Sequence, residues 1–266
     1  MKVLCEILGV PRSSAYYRSQ PSEDRLLGDA LMELAGQWPT YGYRRLTVML
    51  KRQGLAVNTK RVRRLMCELG IAAAAPKRKP RTTDSEHPYP RFPNLVEGLK
   101  VTRPEQVWVA DITYIRLRKE FIYLAVLMDV FTRSIRGWNL GRSLEHELTL
   151  VALRKALEGR SPEIHHSDQG VQYAATGYVD MLKSKHIDIS MTNIGEPKEN
   201  GYAERLMRTI KEEEVDLTEY EDLPDALRQM GRFLEDVYNT KRIHSSLGYL
   251  TPSEFEQQWM EKRRIG

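Results

Sequence analysis

Three acidic residues have types and positions suited to phosphodiester chemistry. Asp111 lies inside the apolar run VWVADITYIRL, Asp168 follows a short apolar run in IHHSDQG, and Glu204 falls on the helical pattern of ENGYAERLMRTIK. Thirty-five residues separate Asp168 from Glu204. A charged group in an apolar strand is costly unless it is paired, hydrogen-bonded or bound to metal. Carboxylates on two strands and a helix suit a site for two divalent ions that performs in-line displacement at phosphorus. Magnesium takes few protein carboxylates, because it keeps waters and substrate phosphate in its shell.

Each acid has a competing reading. Asp111 could be a strand-end carboxylate facing solvent. Asp168 stands in Ser-Asp-Gln-Gly, which is good turn chemistry, although ligands also gather outside strand ends. Glu204 competes with Glu196, in a Gly-Glu-Pro turn, and with Glu199, at a helix start where the dipole alone favours a carboxylate. A rigid helix positions a ligand better than a loop, and Glu204 shares a helical face with Arg208 and Lys211. That face makes Lys211 a candidate grip for substrate phosphate. Asp129, before Phe131-Thr132-Arg133, reads as the cap of a hairpin turn. His165 and His166 read as one buried and one surface histidine, with no Cys or His cluster beside them.

The elements that must position these residues follow from periodicity. VWVADITYI, FIYLAVLMDVF and SIRGWNL are three apolar, β-branched or aromatic runs joined by short polar turns, which predicts an antiparallel meander. A helix over about 144–158, a short strand at Ile164–His166, a helix near 176–185, a strand at Ile187–Met191 and a long helix from about Glu199 follow. The prediction is an α/β mixed sheet of RNase H type over 105–266, closed by C-terminal helices.

The front of the chain reads as all-α. Residues 1–20 form part of a helix-turn-helix. Residues 21–75 form a second such unit: an amphipathic helix ending near Gly36, a helix with Leu46, Met49 and Leu50 ending at Gly54, and a helix capped by Asn58 or Thr59 and stopped by Gly70. Residues 76–104, with prolines at 76, 80, 88, 90 and 93, read as a basic extended linker. The net charge of +5 hides an asymmetry, because residues 1–104 hold 19 Lys and Arg against 9 Asp and Glu. Lys and Arg release counterions condensed on nucleic acid. The candidate DNA contacts are Arg44, Arg45, Lys60, Arg61, Arg63 and Arg64 on the helices and Lys77, Arg78, Lys79 and Arg81 in the linker. A solvated basic face is the plain alternative.

Near the C-terminus, Tyr238 and Arg242 share a helical face, with Asn239 and His244 close by. Arg242 and His244 either reach DNA phosphate, or Tyr238 packs, Asn239 and His244 satisfy the helix end and Arg242 pairs with an acid.

Hydrophobic residues make up 41% of 266 residues, enough for a substantial core. Two cysteines make no disulfide framework. No apolar run of about 18 residues suggests a membrane span, and no signal-peptide pattern opens the chain. A cytoplasmic location, associated with the nucleoid when bound to DNA, is expected.

These stretches resemble the second-frame transposases of IS3-type bacterial insertion sequences, in the DDE transposase and retroviral integrase superfamily. The likeness is carried by WVADITYI at 108–115, YLAVLMDVFTR at 123–133, HSDQG at 166–170, ENGYAERL at 199–206 and the C-terminal YNTKRIHSSLGYLTPSEF at 238–255. YGYRR at 41–45 and KRVRRLM at 60–66 match its helix-turn-helix region. The resemblance implies that Asp111, Asp168 and Glu204 bind metal and catalyse. It implies two Mg2+ or Mn2+ ions with DNA bound, and cleavage of element ends followed by transfer of the 3′-OH to target DNA. The implied partners are double-stranded DNA, both terminal inverted repeats and target, a homo-oligomer on DNA, and a separate upstream-frame protein that carries the leucine zipper. The family's Asp-Asn-Ala at 199–201 reads Glu-Asn-Gly here, which keeps Glu199 as a competitor with 30 residues after Asp168.

Overall fold

The computed structural model describes residues 24–74, 91–118, 120–193 and 200–265, together with Cys5, Ile7 and Gly9. The chain divides into two compact units, Met1–Ala74 and Ala75–Gly266. The proposed helix-turn-helix at 1–20 lies outside the described residues apart from those three positions.

The first unit holds α1 (Asp24–Gln37), α2 (Tyr43–Arg52) and α3 (Thr59–Glu68). Leu27, Leu31 and Leu34 of α1, Leu46 and Leu50 of α2, and Val62, Leu65 and Met66 of α3 are buried, and the three helices pack on one another. α1 ends at Gln37, beside Gly36. The Asn58 side chain caps α3 by accepting from the Arg61 amide at 2.8 Å. Gly54 and Gly70 end α2 and α3 in the left-handed region, at φ +84° and +67°, where glycine pays no steric penalty.

The second unit is built on a five-stranded sheet: β1 (Val107–Arg116), β2 (Phe121–Asp129), β3 (Ile135–Gly141), β4 (Ile164–Ser167) and β5 (Asp188–Met191). Its order is β3-β2-β1-β4-β5. β1, β2 and β3 pair antiparallel, and β4 and β5 join β1 in parallel. The helices are α4 (His146–Ala156), α5 (Val171–Ala174), α6 (Thr176–Ser184), α7 (Gly201–Ile210), α8 (Leu223–Gly231) and α9 (Pro252–Ile265). α7 runs on as a π-helical turn over Lys211–Val215, and α8 as another over Arg232–Tyr238.

Period-two alternation gives the sheet two apolar faces. Val107, Val109, Ile115, Leu124 and Val126 pack against Leu206 and Ile210 of α7 and against Met230, Phe233 and Leu234. Trp108, Ala110, Ala125 and Leu127 pack against Leu153 of α4 and against Tyr173, Tyr178 and Leu182. β3 lies tight against α4, since a Cβ on Gly137 would meet the Ala152 carbonyl oxygen at 2.4 Å. Residues 91–104 are not a free spacer. Phe92, Val96 and Val101 pack on the two faces, and the Leu95 amide donates to Ser190 Oγ at 2.9 Å. Among the described residues, no helix is long and apolar enough to cross a membrane.

Candidate active site

β1 and β4 pair in parallel up to Val109 opposite His166. Carried two positions further, that register sets Asp111 beside Asp168, one strand spacing away and just past the end of β4. Alternation also puts Asp111 on the sheet face that α7 covers, and α7 packs on β1. Glu204 lies in its first turn. The Asn200 side chain ties this helix start to the strand by donating from Nδ2 to the Ala110 carbonyl at 3.2 Å.

The electrostatics agree with this placement. The Asp111 carboxyl is pushed up to about 7, first by burial, then by Asp168, with Glu204 adding to the rise. The Ile112 amide, which donates to Asp111 Oδ1 at 2.7 Å, and the charge of Lys211 act in the opposite direction. Asp168 Oδ1 accepts from the Gly170 amide at 3.0 Å, which fixes the turn after β4. Lys211 opens the π-helical turn with its Nζ 4.7 Å above the Tyr114 ring. Such turns within helices are frequent at functional sites.

Among the described residues, no three His, Cys, Asp or Glu side chains form a ready-made cage for a metal ion. Asp168 and Glu204 each act electrostatically on Asp111, without a closed ligand set among the described residues. The donors still fit a hydrated divalent cation, for they are hard oxygens on two strands and a helix. Two buried polar atoms nearby, the Tyr173 hydroxyl and Asn200 Oδ1, have no hydrogen-bond partner among the described residues. Buried polar groups are ordinarily satisfied, so a cation with its waters suits their surroundings.

The other acids and histidines have structural places. Asp129 caps its turn: Oδ1 accepts from the Thr132 amide at 2.6 Å, and Oδ2 from the Glu105 amide at 2.7 Å. Both His165 and His166 are buried, which corrects the expectation of one surface histidine. His165 bonds the Tyr178 hydroxyl at 2.8 Å, and burial drives it down to about 3, so the ring is neutral. Glu196 and Glu199 lie outside the described residues.

The basic candidates divide. Arg242 and His244, named as candidate DNA contacts, are interior residues, and Arg242 pairs with an acid, while Asn239 bonds β3 rather than the helix end. Arg242 is only 2% exposed and bonds Glu213 at two points. His244 Nε2 lies 3.1 Å from Arg242 Nη1, and Asn239 holds both the amide and the carbonyl of Ile135. In the first unit, Arg61 and Arg64 both bond Asp24 of α1. Arg45 lies over the ring of buried Tyr41. Lys60, Arg63 and Arg44 are exposed, and Arg44 and Arg63 both lie over the Tyr43 ring. Lys77, Arg78, Lys79 and Arg81 lie outside the described residues.

Sequence reasoning missed Tyr173, Asn200 and Glu213. Asn200 stands just before α7, yet its side chain makes no cap and reaches β1 instead.

Residues 101–197 and 185–252 match two integrase core domain families, and residues 21–79 match an HTH-like domain family. The chain is 34% identical over 221 residues to the transposase for insertion sequence element IS904 of Lactococcus lactis, covering 82% of this chain and 87% of that one. It is 31% identical to putative transposase InsK for insertion sequence element IS150 of Escherichia coli, covering 94% and 90%, and 28% identical to transposase InsF for insertion sequence IS3A, covering 97% and 94%. The chain belongs to the IS3-type insertion-sequence transposases. This transposase has the integrase-core fold, also found in the simian T-cell lymphotropic virus intasome, with a TM-score of 0.51 at 16% identity over 85% of this chain and 74% of that one. Integrase cores of this family are polynucleotidyl transferases of DNA transposition and depend on divalent metal. The HTH-like domain of the transposase marks it as DNA-binding.

Proposed function

We propose that this chain cuts the ends of its insertion element and joins the freed 3′-OH to target DNA at a single site formed by Asp111, Asp168 and Glu204. The observation that carries the reading is the field at Asp111, where Asp168 and Glu204 both raise its carboxyl and Lys211 opposes them. Strongly perturbed carboxyls of this kind cluster at functional sites.

When bound, two Mg2+ or Mn2+ ions would supply positive charge at the attacking and leaving oxygens. Asp111 on β1, Asp168 just past β4 and Glu204 on α7 are the residues that would hold them. Asn200 fixes the start of α7 against β1, so the helix acid keeps its distance from the strand acids. Lys211, whose Nζ lies over the Tyr114 ring, holds a non-bridging phosphate oxygen. In the first unit, Lys60, Arg63 and Arg44 meet the phosphate backbone of the terminal inverted repeats, while Arg61 and Arg64 brace α3 against α1. The linker cations Lys77, Arg78, Lys79 and Arg81 add charge along the DNA. Two element ends call for a homo-oligomer on DNA, with the upstream-frame protein as a further partner, all in the bacterial cytoplasm.

The test is a joining assay. Oligonucleotide ends bearing a 3′-OH are incubated with supercoiled plasmid and Mg2+, alongside the same ends bearing a 3′-dideoxy nucleotide. Covalent joining of the 3′-OH ends alone is the expected result. Nicking without joining would mark a hydrolytic nuclease.

A further inference from the structure

Tyr173 is 2% exposed, and its hydroxyl has no hydrogen-bond partner among the described residues. A buried hydroxyl of this kind is unusual, since leaving one unsatisfied is costly. Its neighbour Tyr178, equally buried, spends its hydroxyl on His165. The Tyr173 ring is held on two sides. It packs edge-on to Tyr178 with centroids 5.5 Å apart, and lies 6.2 Å from the His165 ring. Its amide donates to the Gly170 carbonyl at 3.0 Å, which locks α5 to the turn that carries Asp168. A Cβ built on Gly170 would lie 3.0 Å from Asp168 Oδ1, 3.1 Å from Gln172 Oε1 and 3.6 Å from Tyr173 Cδ2, so the edge of the Tyr173 ring lies close to the Asp168 carboxylate, with the Gln172 amide beside both. Asp111 and Asp168 are also the two charges felt most strongly at the Tyr173 hydroxyl, which burial keeps protonated.

We infer that Tyr173 is a positioning residue of the metal site, whose hydroxyl donates a hydrogen bond to a carboxylate oxygen of Asp111 or Asp168, or to a water on the bound cation, once the site is loaded. The inference rests on the carboxylate-site reading above. It gives the hydroxyl the partner it lacks and explains why a phenol rather than a phenyl ring sits there. Outer-shell hydrogen bonds fix ligand orientation, and losing one typically weakens metal binding 10–100-fold.

The full chain, freed of metal, is titrated with MnCl2 by calorimetry, and its thermal unfolding is followed without metal. Tyr173→Phe should weaken Mn2+ binding about tenfold, the lower end of that range, with the metal-free Tm unchanged or raised. Tyr178→Phe should lower the Tm and leave Mn2+ affinity as it was. Unchanged Mn2+ affinity in Tyr173→Phe overturns the inference. So does an equal loss in both variants, which would make the effect one of packing. A lowered metal-free Tm in Tyr173→Phe also overturns it, since the hydroxyl would then have an internal partner. Asp168→Asn separates the two levels. If it binds Mn2+ like the wild type, the carboxylate site itself fails; if it loses binding while Tyr173→Phe keeps it, only the tyrosine's role fails.

Discussion

Arg242 grips Glu213 at two points, Nε to Oε2 at 2.7 Å and Nη2 to Oε1 at 2.6 Å, with both side chains largely closed off from water. The pair fastens the segment after α8 to the π-helical turn that follows α7. Removing one partner of a buried pair strands the other charge, at a cost of about 3–5 kcal/mol. Arg242→Ala should therefore unfold at much lower urea concentration, yet bind DNA normally per folded molecule. Arg242→Lys should recover little, because an ammonium cannot match the two-point geometry. Normal stability with weakened DNA binding would restore the phosphate contact.

Gly137 tests how closely α4 is seated on β3. An added methyl would meet the Ala152 carbonyl oxygen at 2.4 Å and the Ala156 Cβ at 2.7 Å, and both are held by the helix. Gly137→Ala should cost about 1–3 kcal/mol or more in urea unfolding. Gly201, at the start of α7, has nothing within 4 Å of such a methyl. There Gly201→Ala should be neutral or add up to about 1 kcal/mol from helix propensity. Equal effects at the two positions would contradict the packing described.

Asp111 predicts a pH dependence with a definite sign. Its folded carboxyl titrates near 7, well above the ordinary value of 3.8. Between these values the folded state binds a proton that the unfolded state has lost, so the group's contribution to stability falls as pH rises from about 4 to 7. In metal-free protein, Asp111→Asn should gain roughly 2–4 kcal/mol at pH 8, and the gain should shrink towards zero near pH 4. Urea unfolding of both proteins at the two pH values checks this. An equal gain at both would contradict it.

In the first unit the exposed cations separate from the engaged ones. Arg63→Gln or Arg44→Gln should each reduce the log–log salt dependence of DNA binding by about one unit and leave the Tm unchanged. Arg61→Gln should lower the Tm, because Arg61 and Arg64 share Asp24. The reverse pattern would exchange their roles.

The strands were legible in the chain because period-two alternation is local. The run VWVADITYI sets Asp111 on one face whatever packs there. Asp129 was legible for the same reason, since its partner Thr132 is three residues away. The acid that pairs with Arg242 was not, because Glu213 stands 29 residues earlier in a π-helical turn that no spacing announces. Tyr173 was hidden too, as it packs on His165 and Tyr178 of other elements. Residues 91–104 read as linker from their flanking prolines, but Phe92, Val96 and Val101 give enough apolar surface to bind the sheet unit.

The central claim is that Asp111, Asp168 and Glu204 form one catalytic site, and it is tested most directly by cleavage of end-labelled terminal-repeat DNA with Mg2+. Asp111→Asn, Asp168→Asn and Glu204→Gln are each compared with the wild type, and DNA affinity is measured on the same preparations. Groups that act as a unit lose nearly everything when any one is removed. The account predicts that each single variant loses cleavage by at least about a thousandfold with DNA affinity unchanged. Near-normal cleavage by Glu204→Gln, with activity lost in Glu199→Gln instead, would contradict it.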